Sequence, residues 1–174
     1  MAPKAQNALA MSFRALPFAA VPNPQPDTTG RIWLSAMPGR LEPWDVFLAR
    51  ARQHHIARVV CLTPRYEVAS LSPAYHAAIG SDHLPFTWQA LPMRDLGLAE
   101  QAQAFREGIE EVANAVRAGD AVLLHCAAGI GRTGTGAACL LKRLGLPTAL
   151  ALQRVREAGA SPESASQSGL IDTF

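Results

Sequence analysis

Cysteine is scarce in this chain: three in 174 residues, an odd and sparse set that excludes the disulfide framework of a small secreted protein. A long apolar run is missing too. No stretch reaches the ~18 uncharged residues of a membrane-spanning helix, so no membrane partner is expected. Charge of one sign is also lacking. The formal balance of +2 is too small to point to nucleic acid or to an anionic lipid surface. These absences leave an ordinary globular chain, 49% apolar and 17% charged, with enough apolar residues for one proper core. Its free thiols make a reducing compartment, the cytoplasm, the default expectation.

The N-terminal segment carries little patterning. Met1–Ala20 places Lys4 ahead of Ala- and Phe-rich sequence, faintly like a secretory signal, but Arg14 and Pro17 interrupt its apolar stretch. Pro17, Pro22, Pro24 and Pro26 follow among polar residues, so residues 1–30 read as an irregular arm and 31–174 as the single domain. From Arg31 onward short apolar runs alternate with helical ones. Strands are expected over 31–34, 58–62, 86–91 and 121–125, the last (Ala-Val-Leu-Leu-His) apolar enough for the centre of a sheet. Helices are expected over 43–53, 72–79 (capped by Ser72), 99–118, 133–144, 148–158 and 162–172. This alternation predicts an α/β domain with a central, mostly parallel sheet flanked by helices.

The informative unit is the strand 121–125, a glycine-bearing turn, and the helix that follows. Such a turn aims successive backbone N–H groups at one point, and the helix dipole adds positive potential there. Gly129-x-Gly131-x-x-Gly134 also fits a dinucleotide-binding fingerprint. That reading requires a further strand ending in an acid ~20 residues on, and the chain there reads as helix. A Walker-type loop fails because no Lys-Ser/Thr pair follows the glycines.

Glycines alone leave Cys126 and Arg132, at the two ends of the turn, unexplained. A thiol at a helix N-terminus within a ring of N–H donors favours its thiolate, which is a nucleophile for phosphorus. Arg132 offers a planar fork to two phosphoryl oxygens. Thr133 can donate a hydrogen bond to the sulfur, and His125 is placed to brace the loop.

His125-Cys126-Ala127-Ala128-Gly129-Ile130-Gly131-Arg132-Thr133 resembles the signature of the protein tyrosine and dual-specificity phosphatase superfamily. Leu34–Gly39 and Val60–Glu67 are similar to a compact dual-specificity branch related to cyclin-dependent kinase inhibitor 3. The resemblance implies a phosphatase-like fold, phosphate monoester hydrolysis through a phosphocysteine, no metal and no cofactor. It implies a phosphorylated protein as partner and substrate, bound by residues 127–132.

It also implies a general acid and base from the loop ahead of the long helix. Asp95, 31 residues before Cys126, holds that place, with Glu100 and then Asp82 as alternatives. Gln167 is similar to a glutamine that some members use to position the hydrolytic water. Cys61 matches a cysteine that in related branches pairs reversibly with the nucleophile. The loop interior has no lysine of the kind phosphoinositide phosphatases use for extra phosphates, so phosphotyrosine is the first expected substrate. Small phosphorylated metabolites, inositol phosphates, or a non-catalytic phosphoprotein-binding role are the alternatives.

Overall fold

The computed structural model describes residues 13–16, 30–95, 97, 99 and 101–174. In chain order the elements are β1 (Arg14–Ala15), β2 (Arg31–Ser35), α1 (Trp44–Gln53), β3 (Ile56–Cys61), α2 (Arg65–Leu71) and α3 (Pro73–Ile79). Then come β4 (Thr87–Ala90), α4 (Ala102–Arg117), β5 (Ala121–His125), α5 (Gly131–Arg143), α6 (Thr148–Glu157) and α7 (Ala165–Asp172). The described strands form one sheet in the order β1-β2-β5-β3-β4, with β2, β5, β3 and β4 parallel and only β1 antiparallel. The expected α/β class with a mostly parallel sheet is the observed one.

Side chains alternate across a strand, and here both faces are covered. Ile32, Leu34, Val60, Val122 and Leu124 point to the layer of α4–α7. Val59 and Leu123 pack with Phe47 and Ala51 of α1, and Cys61 packs with Val68 of α2 and Tyr75 of α3. Residues buried on both sides explain why β5 reads as an unbroken apolar run. Phe105, Ile109, Val112 and Val116 share the inner face of α4 and are all buried, each stabilising by about 1.5–3 kcal/mol. This clamped central strand delivers residue 126 to the C-terminal edge of the sheet, where ligands of parallel α/β sheets bind.

Four local expectations differ. The segment read as an irregular arm contributes Arg14–Ala15 to the sheet, in register with Trp33 and Leu34 of β2; a two-residue strand carries no period to detect. The rest of that arm, including the signal-like stretch through residue 12, lies outside the described residues. Helix α2 was not expected: it is one short helix after Pro64 that buries Val68 alone, too little for a periodic pattern. Ser72 precedes α3 without capping it, and its hydroxyl donates to the Pro38 carbonyl at 2.8 Å. Finally, α5 begins at Gly131 rather than residue 133, so the glycine turn runs directly into the first helical turn.

Candidate active site

Beyond β5 the chain turns sharply through Ala127–Ile130 and enters α5. Gly129 makes the turn possible. Its φ of +75° suits glycine, and a Cβ there would fall 2.5 Å from the Ser35 carbonyl oxygen at the end of β2. Cys126 sits at the base, only 3% exposed. Its Sγ accepts from the Gly129 N–H at 3.2 Å and from the Thr133 hydroxyl at 3.0 Å. The N-cap residue of α5, Ile130, makes no side-chain cap, so the first amides of the helix keep their capacity for an anionic ligand.

Arg132 is buried at the lip of this cradle, 4% exposed. Its two terminal nitrogens each donate to one oxygen of Glu67 at 3.0 Å, a two-pronged ion pair, and Nη1 also reaches the Met93 carbonyl at 3.3 Å. Asp95 lies 3.7 Å from Arg132 Nη2 and is largely exposed. Burial works against the guanidinium charge, but the hydrogen bonds to Glu67 and the charges of Cys126, Glu67 and Asp95 outweigh it, and the Arg132 pKa lies above the ordinary value. Glu67 was missed from sequence. An acid in the first turn of a short helix is common for dipole reasons alone, and nothing local says that it faces residue 132.

His125 is fully buried behind the loop. Its Nδ1 lies 3.2 Å from the Cys126 carbonyl oxygen and its Nε2 2.9 Å from the Tyr75 hydroxyl, which accepts from Trp88 Nε1 at 2.8 Å. A Tyr75 hydroxyl proton given to Nε2 leaves Nδ1–H to donate to the carbonyl, the pattern of a neutral imidazole. Burial lowers the His125 pKa to about 4, so it braces the strand end uncharged. Cys61 is paired in register with His125 on the neighbouring strand and belongs to the cluster on the α1–α3 side, while Cys126 packs with the opposite layer. Burial raises the Cys61 pKa to about 11, and the thiol donates to the Thr63 carbonyl at 3.4 Å. Cys139 is buried within α5, its pKa likewise pushed up to about 12 by burial.

An open depression of about 350 Å³ exposes the cradle, lined by Arg40, Asp95, Cys126, Arg132 and Glu163 with Ala127, Ala128 and Gly131. Arg40 Nη1 donates to the Ala127 carbonyl at 2.8 Å. Glu163 rests against the loop so closely that a Cβ on Gly131 would meet its Oε2 at 2.0 Å. Gln167 is not on this wall: it is buried, and its Oε1 accepts from the Glu163 N–H at 2.8 Å. Asp82 is exposed elsewhere, and Glu100 lies outside the described residues. Among the described residues no group of His, Cys, Asp and Glu could hold a metal ion, and no helix is long and apolar enough to cross a membrane.

Known proteins resemble this chain at two levels. Residues 42–168 match the family model described as Swiss Army Knife protein, DSP-PTPase phosphatase domain. No curated protein sequence matches. Among solved structures, kinase associated phosphatase with its catalytic cysteine changed to serine superposes with a TM-score of 0.75 at 19% identity, covering 94% of this chain and 93% of that one. Tk-PTP in its active form gives 0.60 at 26% identity, covering 85% and 95%. TpbA of P. aeruginosa gives 0.56 at 21%, covering 92% and 90%. The family match spans most of the chain and contains the whole loop from His125 to Thr133: the chain belongs to the DSP-PTPase domain family of the Swiss Army Knife proteins and is a cysteine-dependent phosphatase.

Proposed function

We propose that this phosphatase hydrolyses phosphate monoesters on protein side chains, phosphotyrosine first, through a phosphocysteine intermediate. The observation that carries the reading is the placement of Cys126 Sγ at the floor of an open depression, with the Thr133 hydroxyl and Gly129 N–H donating to it and Arg132 at the rim. In the first step Sγ attacks phosphorus in line and the P–O bond to the substrate breaks. Asp95 gives its proton to the departing oxygen. In the second, the Asp95 carboxylate takes a proton from water, the hydroxide attacks phosphorus, and the P–S bond breaks. Thr133 then stabilises the leaving thiolate. Arg132 and the amides of residues 127–131 hold the equatorial oxygens as charge develops. Gln167 enters indirectly, by holding the turn that carries Glu163.

The form of the depression supports this substrate class. It is broad and open, which suits phosphotyrosine and also admits phosphoserine and phosphothreonine, and Asp95 and Glu163 oppose additional phosphates. A free thiolate nucleophile favours a reducing setting, the cytoplasm.

A panel of phosphotyrosine and phosphoserine peptides, nucleotides, sugar phosphates and inositol phosphates tests the reading. Phosphotyrosine peptides are expected to turn over fastest, undiminished by chelators. Cys126→Ser is expected to abolish turnover, and Asp95→Asn to lower it by about 10²–10⁴-fold, the usual worth of a positioned acid–base group. Chelator-sensitive turnover, or full activity in Cys126→Ser, would overturn the mechanism. A preference for inositol phosphates would overturn the substrate class.

A further inference from the structure

Outside the residues that touch the reacting atoms, a side chain near the start of the described chain is tied to the cradle. Arg14 of β1 donates through Nη2 to the Gly129 carbonyl, and through Nη1 to the carbonyls of Gly159 at 2.7 Å and Ala158 at 3.1 Å. We propose that Arg14 is a positioning residue of the phosphate cradle: it holds the Gly129–Ile130 peptide so that the Ile130 N–H faces the phosphoryl group. The proposal rests on the phosphatase reading above and adds to it a requirement for the N-terminal strand.

The geometry carries the argument. In a trans peptide the C=O and N–H point in opposite directions, so a carbonyl tied to the outside of the loop aims the next amide inward. Three peptide groups of this loop are tied in that way. Arg40 holds the Ala127 carbonyl, Arg14 the Gly129 carbonyl, and the Ser161 N–H the Ile130 carbonyl at 3.1 Å. The middle one most needs a tie, because Gly129 is the loop residue with the widest rotational freedom. Arg14 also anchors the segment that supplies Ser161, since Gly159 and Ala158 lie two and three residues before it. One planar fork thus sets the spacing between the cradle and its outer support, a task a point-charged ammonium does less well. The Arg14 guanidinium further lies within electrostatic reach of the Cys126 thiolate: burial lowers its pKa and the thiolate acts in the opposite sense.

The full chain and its Arg14→Ala and Arg14→Lys variants test this with kcat and KM on a phosphotyrosine peptide and the Kd of vanadate. Both variants are expected to lose about tenfold in kcat and in vanadate affinity, somewhat less than the full removal of one oxyanion donor. In both variants the loss should fall on kcat with KM little changed, the mark of an interaction made in the transition state. Wild-type kcat and vanadate affinity in a folded variant would overturn the proposal, and Arg14→Lys decides the matter should Arg14→Ala not fold. Vanadate binding separates the two readings. An inactive wild type that still binds vanadate in an Arg14-dependent manner fails the catalytic reading alone, whereas an active wild type indifferent to Arg14 fails only this one.

Discussion

Replacing Glu67 by glutamine tests whether Arg132, the arginine of the proposed mechanism, is held in place by the fold. The Arg132–Glu67 pair has two 3.0 Å contacts, with side chains 4% and 19% exposed. At an effective dielectric constant of about 20 and roughly 4 Å between charge centres, the attraction is about 4 kcal/mol before desolvation. Removing one partner of a fully buried pair costs about 3–5 kcal/mol, much of it the stranding of the other charge. Glutamine strands Arg132 only partly: it keeps one acceptor oxygen, and Asp95 and the thiolate remain nearby. The expected loss of stability is therefore about 2 kcal/mol, a fall in Tm of roughly 4–8 °C for a domain of this size. A guanidinium free to swing also loses its aim, and kcat/KM is expected to drop about tenfold or more. Thermal denaturation and steady-state kinetics on Glu67→Gln and Glu67→Asp measure both quantities, with the aspartate intermediate because its carboxylate is one methylene short. A Glu67→Gln protein with wild-type Tm and kcat/KM would refute the reasoning.

Two further outcomes are expected. His125 has a folded pKa of about 4 against an ordinary 6.5, so between those values the unfolded chain binds the extra proton. Stability should therefore fall as pH drops from about 6.5, by about 3 kcal/mol once below 4; denaturant midpoints across that range should flatten in His125→Asn, and equal slopes in both proteins would remove His125 as the cause. Cys61 is proposed to resolve an oxidised nucleophile: peroxide converts the Cys126 thiolate to the sulfenic acid, and the Cys61 thiol displaces water from it to form a disulfide. Cys61 and Cys126 pack in different clusters, yet Cys61 is in register with His125 beside the nucleophile and feels the charge of Cys126. Mass spectrometry after mild peroxide should find the bridged peptide, and dithiothreitol should restore activity; sulfinylated Cys126 without a bridge would end the idea.

The sheet and the cradle were legible because both are local. The unbroken apolar run of β5 and the offsets of Cys126, Gly129 and Arg132 fall within a dozen residues, and each has a physical meaning without the rest of the chain. What escaped was whatever depends on contacts between distant segments. Glu67 and Arg132 are 65 positions apart, and Arg14 and Gly129 are 115 apart. In sequence Arg14 only interrupts an apolar stretch. The burial of Gln167 also escaped, since a polar residue in a polar stretch carries no mark of it, and its amide accepts from the Glu163 backbone. Helix α2 was lost for want of length, because seven residues with one buried side chain hold no period.

The Arg14 contacts span 144 and 145 positions to the carbonyls of residues 158 and 159, so opposite ends of the described chain meet at the loop. A closure of that length costs more entropy than a local one, though only logarithmically more, and its return arrives after the sheet has ordered. The cradle should therefore mature late. A nascent chain can carry a complete His125–Thr133 loop and still lack the support of residues 158–161, which leave the ribosome some thirty residues after it. Catalytic competence then reports the folding of almost the whole described domain, and a chain truncated before that support would keep the signature while losing its geometry.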